Sequence, residues 1–99
     1  MKQTTASPYE VTARIRCTDP DRVEPARTAL GALAEQTRSE PGCLAFSVHE
    51  ETEAPGSFVL WEVFADEEAF RRHFEYQHTR SYLEREFTEV VEHRVMRPV

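Results

Sequence analysis

Phe58-Val59-Leu60-Trp61-Glu62-Val63-Phe64-Ala65-Asp66-Glu67-Glu68-Ala69-Phe70-Arg71-Arg72-His73-Phe74-Glu75-Tyr76-Gln77-His78 changes its period in the middle, and that change decides the fold. Its first part reads as a strand. Phe58, Leu60, Glu62 and Phe64 share one face, and Val59, Trp61 and Val63 share the other. At Asp66 the pattern turns helical. Asp66 is placed to cap a helix whose first turn carries Glu67 and Glu68, where carboxylates favour the helix dipole. Ala69, Phe70, His73 and Phe74 then recur at helical spacing on one side. Both faces of the strand are apolar except at Glu62, so both need cover. Helices cover one face; a partner subunit is inferred for the other.

Outward from this stretch, the chain reads as one unit. Residues 1–8 are polar, carry Ser-Pro and are expected to form a flexible arm before a single domain over residues 9–99. Tyr9 to Cys17 alternates, with Tyr9, Val11, Ala13, Ile15 and Cys17 on one face and Glu10, Thr12, Arg14 and Arg16 on the other. Asp19-Pro20-Asp21 stops this strand, and Asp21 with Glu24 fits a capping box. Val23, Ala26, Leu30, Leu33 and Thr37 mark the buried face of a helix to about Ser39, with Gly31 read as a point of close packing. Glu40-Pro41-Gly42 turns the chain. Cys43 to Glu50 follows as a strand, with Leu44, Phe46 and Val48 facing one way, and forms a hairpin with the Phe58–Phe64 strand. A kink near His78-Thr79, a short helix carrying Tyr82, Leu83 and Phe87, and a last strand from Val90 to Met96 complete the order β-α-β-β-α-β. This is an α+β, ferredoxin-like arrangement with an antiparallel sheet and helices on one face.

Composition removes several function classes. The chain has 99 residues, enough for one domain, which buries roughly 60–70% of its unfolded surface. A net charge of −6 argues against a nucleic-acid surface, which needs clustered Lys and Arg. No apolar run spans a bilayer and no signal-peptide pattern is seen, so a cytoplasmic location away from membranes is expected. Cys17 and Cys43 lack metal-ligand spacing and read as buried, reduced thiols. Glycine-rich phosphate loops, nucleophile elbows and paired-carboxylate motifs are absent.

Glu40-Pro41-Gly42-Cys43-Leu44, then Phe58-Val59-Leu60-Trp61-Glu62, then Ala69 followed by His73 and His78, resemble the antibiotic biosynthesis monooxygenase family. There a Glu-Pro-Gly-Cys turn, a Glu on the third strand and an Ala-x3-His-x4-His helix recur in this order. The resemblance covers about Tyr9 to Val95. It implies a homodimeric α+β barrel formed by two sheets face to face, with a ligand cavity in each subunit between sheet and helices. It also implies oxygenation of a quinol or polyphenol, some of them polyketide-like, by dioxygen without metal or flavin. Two branches fit poorly. Haem-degrading members use an Asn on the first strand, a Trp in the helix and a later His; this chain has no Asn, and His73 and Leu83 stand at the latter positions. Polyketide-tailoring members place Asn, Trp and Tyr where Leu60, Phe64 and Phe70 stand here.

Oxygenation without a cofactor requires a base, because a phenolate reduces dioxygen far more easily than a phenol does. It also requires donors for the peroxide and a dry pocket. His73 is the candidate catalytic base, since an unperturbed imidazole titrates at about 6.5. The plainer alternative is a structural histidine hydrogen-bonded to Glu62 or to backbone. Candidate substrate contacts are Glu62, Phe64, Phe70, Tyr76, Tyr82 and Trp61, although Trp61 also suits a dimer interface. Glu62, as a buried carboxylate, should meet Arg14, Arg16 or His73. His78 lies about 140° from His73 on a continuous helix, so no metal pair is expected, and His78 is assigned to packing at the kink. A second reading keeps the dimer and the cavity but makes the protein a binder of small aromatic ligands without turnover.

Overall fold

β3 (Ser57–Phe64) lies inside a four-stranded sheet, paired antiparallel with β2 (Cys43–Glu50) on one side and β1 (Tyr9–Cys17) on the other. β4 (Thr88–Met96) pairs antiparallel with β1 at the far edge, giving the order β2-β3-β1-β4. The computed structural model describes residues 7–99, so most of the expected arm falls outside the described residues. Helix α1 (Val23–Arg38) joins β1 to β2, while α2 (Glu67–His73) and α3 (Gln77–Glu84) join β3 to β4. This is the expected α+β, ferredoxin-like order. No helix among the described residues is long and apolar enough to cross a membrane.

Register explains which side chains meet. Val11 lies opposite Glu62, Ala13 opposite Leu60 and Ile15 opposite Phe58, so the buried positions of β1 and β3 share the helix-covered face. Phe64 is fully buried there; burying such a side chain stabilises a fold by roughly 2–3 kcal/mol. The opposite face carries Val59, Trp61 and Val63. Trp61 donates from Nε1 to Glu10 at 2.8 Å, yet stays 42% exposed.

Four local expectations are corrected. Leu44 does not face inward beside Phe46. A bulge between Cys43 and Ala45 puts Cys43 opposite Phe64 and leaves Leu44 exposed, because one extra residue in a ladder loses its partner. Gly31 packs against nothing; a methyl group there would meet open space. The first cap is Asp19, whose carboxylate accepts from Asp21 N–H to start the 3-10 turn Pro20–Arg22 that precedes α1. Phe87 lies beyond α3, not on it. Glu86 takes a φ of 52°, which stops the helix and turns Phe87 into the core.

The close approach that matters is at Gly42. A Cβ there would sit 2.5 Å from Cβ of Ala69, so only glycine lets the start of β2 touch α2. Ala65 N–H donates to the Gly42 carbonyl at 2.8 Å, and Asp66 accepts from Ala69 N–H at 2.8 Å as the α2 cap. Such a cap stabilises a helix by about 1 kcal/mol. Together these contacts hold the Glu40–Gly42 turn against the helix that carries His73.

Candidate functional site

Glu40 is the centre of the site. It follows the last turn of α1, with its N–H bonded to the Thr37 carbonyl and its own carbonyl accepting from Cys43 N–H, so the turn is fixed from both sides. Its carboxylate is almost fully buried, and a carboxylate in that setting needs partners. Two imidazoles supply them. His73 Nδ1 lies 2.8 Å from Glu40 Oε2, and His78 Nε2 lies 2.6 Å from the same oxygen. Because a carboxylate only accepts, both nitrogens donate. Thr79 Oγ1 sits a longer 3.4 Å from His73 Nδ1.

The helix break makes this convergence possible. α2 ends at His73, and Tyr76 is extended (φ −71°, ψ 147°) before α3 begins at Gln77. Two short helices therefore replace the continuous helix on which His73 and His78 would diverge. The break also precedes the kink expected near His78-Thr79. His78 is consequently more than a packing residue at a kink: it is the second donor to Glu40. Three ligand-type atoms of Glu40, His73 and His78 lie within 4.8 Å of one another. That spacing corrects the geometric reason for setting a metal aside, and these are the residues that could hold one.

His73 is 4% exposed, packed between the rings of Phe46 and Phe64 with centroids 5.6 and 5.4 Å away. Burial pushes its pKa below the usual imidazole value, while the Glu40 hydrogen bond and charge pull the other way. With Nδ1–H on Glu40, Nε2 is the nitrogen left with a free lone pair.

His73 lines a cavity of about 140 Å³ between sheet and helices. Ile15, Leu30, Leu33, Phe46, Leu60 and Phe70 give it an apolar wall, and Glu62, Thr79, Tyr82, Thr88 and His93 add polar groups. Phe74, Leu83 and Val90 line it and are also exposed, which puts its mouth between the helix break and β4. Larger depressions exist on the surface, one of about 280 Å³ between α1 and α3, but His73 and Glu62 do not line it.

Glu62 departs most from expectation. It is 6% exposed, and its Oε1 has no hydrogen-bond partner among the described residues. Arg14 pairs with Glu51 and Arg16 with Glu89, while His73 pairs with Glu40. Arg14 and Arg16 cannot reach Glu62, because in the register they alternate to the opposite face of β1. Burial, and then the negative charge of Glu40, raise the Glu62 pKa to about 7.

The other sequence candidates divide. Phe70 and Tyr82 line the cavity with Glu62 and His73. The Tyr82 hydroxyl lies 2.7 Å from Thr88 Oγ1, and burial raises its pKa. Phe64 lies behind His73 and does not reach the cavity surface. Tyr76 stacks on His78, with centroids 5.3 Å apart, and lines a separate depression beside Gly42. Trp61 is on the opposite face of the sheet. Cys17 and Cys43 are free thiols, only half-buried, with pKa values raised by burial.

A ferredoxin-like sheet whose helix-covered side encloses an apolar cavity, with a buried carboxylate holding an imidazole in its wall, defines a small α+β domain built around a cavity-facing histidine. The chain belongs to the antibiotic biosynthesis monooxygenase family, whose model matches residues 8–85. It is 36% identical over 58 residues to the uncharacterized protein YjcS of Bacillus subtilis, covering 59% of this chain and 55% of that protein. It is 30% identical over 66 residues to the uncharacterized protein sll1783 of Synechocystis, covering 67% of this chain and 45% of that protein. The chain thus spans about half the length of these relatives. Among solved structures, protein YJCS superposes with a TM-score of 0.86 at 26% identity, covering 94% of this chain and 100% of that one. Rv0793 of Mycobacterium tuberculosis gives 0.81 at 29% identity, covering 94% and 96%.

Proposed function

We propose that the protein is a cytoplasmic homodimer that oxygenates a small quinol or phenol with dioxygen, without metal or flavin, and that His73 is its base. The observation that carries this reading is the Glu40–His73 pair in the cavity wall, where Glu40 fixes Nδ1–H and Nε2 is free to take a proton. Family membership supports the reaction class, and the exposed Trp61 beside Val59 and Val63 supports a partner on the open sheet face.

The chemistry follows from the residues. Nε2 of neutral His73 takes a phenolic proton, and the Glu40 carboxylate offsets the charge of the resulting imidazolium. The phenolate passes one electron to dioxygen. Superoxide and the ring radical combine at a ring carbon, and the hydroperoxide loses water. One oxygen atom enters the ring, the other leaves as water, and a hydroquinone becomes a hydroxyquinone. The apolar wall keeps bulk water from the peroxide.

Cavity size limits the substrate. A volume of about 140 Å³ is close to the roughly 150 Å³ of an apolar cavity that accommodates benzene. A single ring matches the enclosed space. The test is oxygen uptake and ¹⁸O incorporation with substituted hydroquinones, with and without a chelator. Uptake above the autoxidation rate, indifferent to chelator, with one labelled atom in the product, is expected. Saturable ring binding without oxygen consumption would instead make the protein a binder of small aromatic ligands. Activity abolished by the chelator would move the chemistry to a metal on Glu40, His73 and His78.

A further inference from the structure

The Glu62 carboxyl is a buried polar group that no atom of the described residues completes. It faces the same cavity as His73, and its cross-strand neighbours Val11 and Phe46 are apolar. A buried carboxyl left without a partner is costly, so one in the wall of a cavity marks where a ligand's polar group belongs. Glu62 and His73 both lie against Phe46, which stands opposite Glu62 in the sheet and packs on the His73 ring. Among the polar groups of the cavity wall, Glu62 and His73 therefore flank one aromatic side chain, and Glu62 is the one that carries an unpartnered atom.

We propose that Glu62 reads a second hydroxyl on the ring whose first hydroxyl is held by His73, so that the cavity selects neutral single-ring diols over monophenols and over phenolic acids. The inference rests on the reading of His73 as the group that receives the first hydroxyl. A carboxyl and a hydroxyl can each donate and accept, so the pair gives the Glu62 carboxyl a partner whichever group supplies the proton. A methyl group in place of that hydroxyl leaves the carboxyl without a partner, and discrimination by a site built for a hydroxyl is strong for this reason. A carboxylate on the ligand would enter a cavity whose buried acidic groups, Glu62 and the neighbouring Glu40, oppose a further negative charge.

The experiment is anaerobic calorimetric titration of the full chain with hydroquinone, 4-methylphenol and 4-hydroxybenzoate, so that binding is read without turnover. Hydroquinone is expected to bind at least about tenfold more tightly than either of the others, the factor one completed hydrogen bond carries. Glu62→Leu is expected to remove the preference for hydroquinone over 4-methylphenol, and Glu62→Gln, which still donates and accepts, to keep most of it. Equal affinity of the wild-type protein for hydroquinone and 4-methylphenol would overturn the proposal even if Glu62→Leu failed to fold. So would a preference that survives in a folded Glu62→Leu variant, or no binding of any of the three. Diol preference without oxygen uptake would leave the inference standing and defeat catalysis; oxygen uptake without diol preference would do the reverse.

Discussion

His73→Gln will lower turnover of an accepted ring diol by about 10²-fold or more, the contribution a positioned general base makes. Glutamine keeps a polar group against Glu40 but has no basic nitrogen to take the phenolic proton. Glu40→Gln is expected to fall nearly as far, although Glu40 does not line the cavity. The amide can donate to Nδ1, and a histidine that accepts at Nδ1 carries its proton on Nε2, where the base is needed bare. His78→Ala removes the other donor to Glu40 and should act chiefly on stability, at about 1–3 kcal/mol. Steady-state kinetics beside chemical denaturation separates these outcomes. In the first two variants kcat is expected to collapse with KM little changed. Full turnover in folded His73→Gln across pH 6–8 would remove the base assignment.

Glu62→Gln carries the largest stability effect, and its sign depends on pH. Burial pushes the folded carboxyl up to about 7 from its ordinary 4.5, so between those values the native state holds more protons than the unfolded chain. Stability therefore falls as pH rises through that window, by about 3 kcal/mol once Glu62 is ionised in both states. His73 runs the other way. Its folded pKa lies below 6.5, so its contribution is lost as pH falls through that lower value, partly masking the Glu62 slope in the wild type. Glu62→Gln removes one slope and leaves the other. Relative to wild type the variant should gain little at about pH 5 and about 3 kcal/mol at about pH 8, read from urea denaturation at one fixed protein concentration. An identical offset at both pH values would mean that Glu62 is not held in a desolvated site.

What the sequence made legible was set by period. The alternation of β1 and β3, the Asp66 cap and the element order need only local patterns, and each matches the structure in place and facing. That Val11 and Glu62 share a face also follows from two alternating strands laid side by side, although their register does not. Carried one step further, that alternation would have excluded Arg14 and Arg16 as partners of Glu62. The convergence on Glu40 was not legible. No Pro or Gly marks the break between His73 and Gln77, so a continuous helix was the natural reading and separated the two histidines. Glu40 itself looked like a turn residue. Its only signal was company: it belongs to the same family pattern as His73 and His78, and three polar residues of one pattern are a reason to ask whether they touch. The bulge at Leu44 was likewise hidden, because a one-residue slip leaves no mark on composition.

Whether His73 can act as the base depends on which of its nitrogens carries the proton. Long-range ¹H–¹⁵N correlation of the histidine side chains reports this without knowledge of the substrate, with His73 assigned by the signals lost in His73→Gln. At about pH 7.5, where an unperturbed imidazole is already mostly neutral, the prediction is a neutral His73 ring protonated at Nδ1, with a bare Nε2. An Nε2–H tautomer or an imidazolium at that pH would contradict it, because no lone pair would then face the cavity.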